Sequence, residues 1–121
     1  MKSVIFTEDA PVPIGPYSQA ILAGGTLYCS GQIGADCLDG DIATQTVAVC
    51  KNISAVLRAA DMQVQDVVKT TCFLVDMGHF SGFNEIYERY FAHKPARSCV
   101  AVKELPKGAL VEIEAVAVCD K

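Results

Sequence analysis

Long hydrophobic runs are missing from this chain of 121 residues, and so is any cluster of basic side chains. The first absence excludes a membrane-spanning helix, which needs about 20 predominantly apolar residues. The second weighs against a nucleic-acid partner. Ten Lys and Arg against fourteen Asp and Glu leave a formal charge of −4, whereas phosphate backbones are bound by clustered cations that release counterions. The opening MKSVIFTEDAPVP reaches acidic residues and prolines before a signal-peptide core could form, so a cytoplasmic location is expected. The two histidines, His79 and His93, are isolated, and the six cysteines form neither a C-x-x-C pair nor a Cys/His group at zinc spacing. No metal or other cofactor is called for. Lacking a secretory context, the cysteines read as reduced core residues rather than as three disulfides. Internal repeats and linker-like tracts are absent too, so residues 1–121 read as one domain.

What is present is an apolar chain, 51% hydrophobic and 20% charged, punctuated by glycine and proline. Ala10 to Pro16, APVPIGP, holds three prolines and a glycine, which makes it an irregular, stiff loop that presents Tyr17. SQAILA and TLYCSGQI flank Gly24-Gly25 as a hairpin, and GADCLDGD is a loop. Between about Ile42 and Ala60, Val49, Ile53, Val56 and Ala60 repeat at helical spacing, with Val47, Cys50 and Leu57 widening the stripe. Val67 to Asp76 is apolar and β-branched enough for a central strand, and Asp76 is placed to cap a second helix. On that helix Phe80, Phe83, Tyr87 and Tyr90 or Phe91 recur, with Asn84 on the side of Phe80 and Tyr87, where an amide needs a partner. Pro95 is expected to end the helix. RSCVAVK and ALVEIEAVAV then form two strands around an LPKG turn. The order predicts an α+β protein with a six-stranded mixed sheet and both helices on one face. Two helices cannot cover the other face, so self-association is expected.

Two strands carry polar residues that do not suit a core. Alternation places Arg97 and Cys99 on one face of their strand, and Glu112 and Glu114 together on one face of theirs. Facing strands would let Arg97 meet Glu112 or Glu114 across the sheet. Such a pair is either a plain ion pair worth up to about 1 kcal/mol or part of a site with Tyr17, Asn84 and Ser30.

The motifs IGPYSQA (Ile14 to Ala20), SGQI (Ser30 to Ile33), FNEIYERYF (Phe83 to Phe91), PARSCV (Pro95 to Val100) and LVEIEAVAV (Leu110 to Val118) occur in the order seen in the RidA family, also called YjgF/YER057c/UK114. The chain resembles that family from near Ser3 to Val118. The resemblance implies a chorismate-mutase-like fold, a homotrimer with its sheets in an inner barrel, and clefts between subunits. It also implies hydrolysis of 2-iminobutanoate and 2-iminopropanoate to 2-oxo acids and ammonia, without a cofactor. By the same resemblance Arg97 binds the substrate carboxylate and Glu112 holds the attacking water. Tyr17, Ser30, Gly31, Asn84 and Cys99 fall on the family's pocket positions, and Glu114 beside them reads as structural. The chemistry suits these residues. A guanidinium binds a carboxylate bidentately where lysine offers a point charge, and an imine needs mainly positioning and one general base.

Cys99, beside a cation, is expected to have a lowered pKa, yet reads as pocket wall rather than nucleophile. The loop ADCLDGD is about four residues shorter than in many relatives, and His79 replaces a common acidic residue, which reads as a surface change. Two other readings compete. A ribonuclease or translation inhibitor, a label some relatives carry, is disfavoured by the acidic charge. A non-catalytic ligand-binding or chaperone-like trimer would not need Glu112.

Overall fold

The structure is a computed structural model that describes residues 1–119, so the last two residues of the expected domain lie outside it. Six strands form one mixed sheet. In chain order they are β1 (Lys2–Ile5), β2 (Ala20–Ala23), β3 (Thr26–Gln32), β4 (Val67–Leu74), β5 (Ala96–Ala101) and β6 (Val111–Val118), with helices α1 (Ile42–Ala59) and α2 (Phe80–Tyr90). Their order across the sheet is β1-β2-β3-β6-β4-β5. β5 runs parallel to β4, and every other pairing is antiparallel. The α+β architecture is therefore as expected. β1 had no segment assigned to it beforehand: its exposed KSVI is an edge strand recruited by pairing with β2 rather than by any core-facing pattern.

α1 forms where the apolar stripe predicted it. Asp41 caps it by accepting a 2.8 Å hydrogen bond from the Thr44 N–H, and Val49, Ile53, Val56 and Leu57 are fully buried beneath it. These side chains meet Leu27, Leu74, Val111, Ile113, Ala115 and Ala117, the inward residues of β3, β4 and β6, in the core. Both ends of the second helix depart from expectation. Asp76 accepts from the Gly78 N–H and so caps a 3-10 turn, Met77–His79, that runs straight into α2. The C-terminus comes at Tyr90, not at Pro95. Phe91 has already left helical geometry, and Lys94, next to Pro95, adopts a left-handed φ of 58°, outside the right-handed region that a following proline disfavours.

The face of the sheet away from the helices is uncovered. Val116 and Val118 alternate with the buried Ala115 and Ala117, and they share their face with Tyr28, 53% exposed, and Val100. Apolar side chains in contiguous strands on an open face mark a surface built to be covered.

Candidate functional site

The uncovered face carries the first group of polar residues. β6 turns Glu112 and Glu114 outward, opposite the fully buried Val111 and Ile113. An open cavity of about 800 Å³ lies against them, bordered by Val12, Tyr17, Ser30, Gly31 and Lys107. A Cβ on Gly31 would collide with the Glu112 side chain, 2.7 Å from Cδ and 2.9 Å from Cγ, so Glu112 keeps this position only beside glycine. Substitution to Ala is expected to push the Glu112 side chain off its position with the fold retained. A crystal structure of the variant and a thermal melt check this.

Burial first, and the charge of Glu114 second, push the Glu112 carboxyl above the usual carboxylate range. Ser30 donates its hydroxyl to the Ser18 carbonyl at 2.6 Å, and its N–H bonds the Gln19 carbonyl. Ser30 thereby ties β3 to the proline-rich loop, on which Tyr17 stands half exposed. One residue missing from the sequence-based set holds that loop. The buried Gln19 side chain accepts from the Thr7 N–H and donates to the carbonyls of Thr7 and Pro11. A lone glutamine in an irregular segment carries no periodic signal, so only the contacts reveal this.

Arg97 belongs to a second group, on the other side of the sheet. In the register, Arg97 pairs with Thr70 and Thr70 with Ala115, a row that faces the helices; Glu112 pairs with Phe73 and Phe73 with Val100, a row that faces away. The expected cross-strand meeting of Arg97 with Glu112 or Glu114 is thus overturned within one chain. Arg97 instead lies against α2. Its Nη1 donates to the Asn84 Oδ1 at 2.7 Å, and its Cζ is 4.8 Å from the ring centre of Tyr87, 5.5 Å from Phe80 and 5.9 Å from Phe83. The amide on the aromatic helix face has its partner, and the partner is the cation. A depression of about 300 Å³ bordered by Asn84, Tyr87, Glu88, Lys94 and Arg97 opens there.

Cys99 shares the row of Cys72, next to Arg97 on the same side. Its thiol is pushed up, not down: burial raises it by more than the Arg97 charge lowers it. The structure therefore brings Tyr17, Ser30, Gly31 and Glu112 together, brings Asn84, Arg97 and Cys99 together, and keeps the two sets apart. Among the described residues no group of His, Cys, Asp and Glu could hold a metal ion, and no helix is long and apolar enough to cross a membrane.

A family model described as Endoribonuclease L-PSP matches residues 7–119. The chain belongs to the RidA/L-PSP family. Among its relatives, a RutC family protein of Pyrococcus horikoshii is 53% identical over 97% of this chain and 98% of its own. A human protein named 2-iminobutanoate/2-iminopropanoate deaminase is 45% identical over 98% and 90%. A Rid family protein of Yersinia pestis superposes with a TM-score of 0.94 at 50% identity, covering 98% of this chain and 100% of the other. TdcF of E. coli, solved with bound serine, gives 0.92 at 36% identity, covering 98% and 99%. The fold of the RidA/L-PSP family is thus the fold of this chain.

Proposed function

We propose that the protein hydrolyses 2-imino acids such as 2-iminobutanoate and 2-iminopropanoate to 2-oxo acids and ammonia, in a site completed by a second copy of the chain. The observation that carries this reading is the division of polar residues between the two faces of the sheet. One set offers a cation suited to a carboxylate, and the other a carboxylate suited to holding water, yet neither set is sufficient alone. In the trimer that the family resemblance implies, a neighbouring copy that sets the edge of its β5, where the depression beside Arg97 opens, against the cavity beside Glu112 would join the two sets.

The chemistry then needs few groups. The Arg97 guanidinium binds the substrate carboxylate with the planar pair of N–H donors that lysine lacks. Glu112 accepts a proton from water as the oxygen adds to the imine carbon and the C=N π electrons move to nitrogen. That proton, returned to the nitrogen, gives the carbinolamine; Glu112 then takes the hydroxyl proton and passes it to the amino group as the C=O bond forms and the C–N bond breaks, so ammonia leaves and the 2-oxo acid remains. Burial and the Glu114 charge raise the Glu112 pKa, which makes its carboxylate a stronger base toward water than an ordinary exposed one. The name of the 45% identical human relative agrees with this substrate class.

The test generates 2-iminobutanoate in place with a threonine dehydratase and traps what remains with semicarbazide. Wild-type protein is expected to lower the trapped fraction and raise 2-oxobutanoate. Unchanged trapping at high protein concentration would remove the reading, and the non-catalytic trimer would take its place.

A further inference from the structure

Arg97 is held by more than its hydrogen bond. One contact, Nη1 to the Asn84 Oδ1, would leave the guanidinium plane free to pivot about the line joining the two atoms. The Tyr87 ring, the nearest of three beneath the guanidinium, removes that freedom. Tyr87 is itself fixed on several sides. Its hydroxyl is 2.6 Å from the fully buried Thr70 Oγ1, its ring is stacked at 4.6 Å on Phe91, and Phe83 lies tilted at 5.4 Å. Thr70 is also the residue of β4 in register with Arg97. Strand and helix thus close a small loop, Thr70 to Tyr87 to Arg97 and back through the sheet, with Asn84 one turn before Tyr87 on α2.

We propose that Tyr87, anchored through Thr70, is the positioning residue that fixes the plane of the Arg97 guanidinium for a carboxylate. The proposal rests on the role given to Arg97 above and adds what makes that role geometrically specific. A guanidinium has five N–H donors in one plane, and bidentate pairing requires that plane to coincide with the carboxylate's. The Cζ of the cation lies over the Tyr87 ring at 4.8 Å, and Asn84 takes one of its N–H donors. The other donors are left for the ligand.

The experiment measures the affinity for 2-oxobutanoate, a stable carboxylate, by calorimetry in five proteins: wild type, Tyr87→Leu, Tyr87→Phe, Arg97→Ala and the Arg97→Ala/Tyr87→Leu double variant. Tyr87→Leu is expected to weaken binding about tenfold, whereas Tyr87→Phe, which keeps the ring but loses its hold on Thr70, weakens it about threefold. In the Arg97→Ala background Tyr87→Leu should have no further effect, the non-additivity that a residue acting through Arg97 must show. Equal effects in both backgrounds, a loss in Tyr87→Phe as large as in Tyr87→Leu, or no binding by the wild type would overturn the proposal.

A second readout uses the protein alone. The Arg97 Nε–H resonance should be shifted by the ring currents in wild type and Tyr87→Phe, and should move in Tyr87→Leu, where only the more distant Phe80 and Phe83 rings are left. An unchanged resonance in Tyr87→Leu counts against the proposal whatever the kinetics. Binding and resonance as expected, without acceleration of imine hydrolysis, would leave the positioning role standing and remove the deaminase reading instead.

Discussion

Arg97→Ala and Glu112→Gln proteins, each nearly inactive alone, regain about a quarter of the wild-type rate when mixed in equal amounts, dissociated and reassembled. The expectation follows from the division of the site. Arg97 is on the helix-facing row of β5 and Glu112 on the outward row of β6, so a working site would draw its guanidinium from one copy and its carboxylate from a neighbour. Random assembly gives each site an even chance of an intact Arg97 and, independently, of an intact Glu112. Before mixing, Arg97→Ala should lower kcat/KM by roughly two orders of magnitude, because a desolvated carboxylate loses its charged, bidentate partner, at a cost of roughly 3 kcal/mol. Arg97→Lys should recover only part, since a point charge does not reproduce the planar pair. Reassembled mixtures no more active than their parents would show that the two halves do not meet across copies.

Glu112→Gln should lower kcat by about 10²- to 10⁴-fold, the usual worth of a general base, while leaving the affinity for 2-oxobutanoate close to wild type. The amide keeps the volume beside Gly31 and cannot accept the proton. A pH profile gives the same residue a second signature. A base works only when deprotonated, and burial together with Glu114 raises the pKa of Glu112. Activity should therefore fall, as pH is lowered, at a higher pH than an ordinary carboxylate would dictate. Glu114→Gln removes the like charge, lowers that pKa and moves the acid limb to lower pH. An acid limb that stays in place in Glu114→Gln, or a Glu112→Gln enzyme of full kcat, would assign the base elsewhere.

Several parts of the fold could be read directly from residue order. The stripe of Val49, Ile53 and Val56 placed α1, and the uniformly apolar VVKTTCFL placed β4, because burial imposes a period that a single segment displays by itself. Asn84 among aromatic residues pointed to a missing partner, found in Arg97. Less local features were not legible. β1 has an exposed pattern and owes its form to pairing with β2, and the loop-holding role of Gln19 depends on backbone atoms of Thr7 and Pro11, eight to twelve residues away.

The sequence alone singled out the polar residues that do not suit a core and determined which of them share a face within a strand. Val111, Ile113, Ala115 and Ala117 against Glu112 and Glu114 leave no doubt about which side of β6 is buried. Arg97 and Cys99 against Ser98 and Val100 settle nothing of the kind for β5, whose two rows are similar in polarity, so the side on which Arg97 lies was left open. Only the tertiary structure decided that question. The aromatic face of α2 accepts a guanidinium as it would an apolar group, since the rings take up its flat, weakly hydrated face and Asn84 its edge. Alternation is a property of one strand, but which row faces the helices is set by register and by what packs above. That is why the cation and the carboxylate lie on opposite sides of the same sheet.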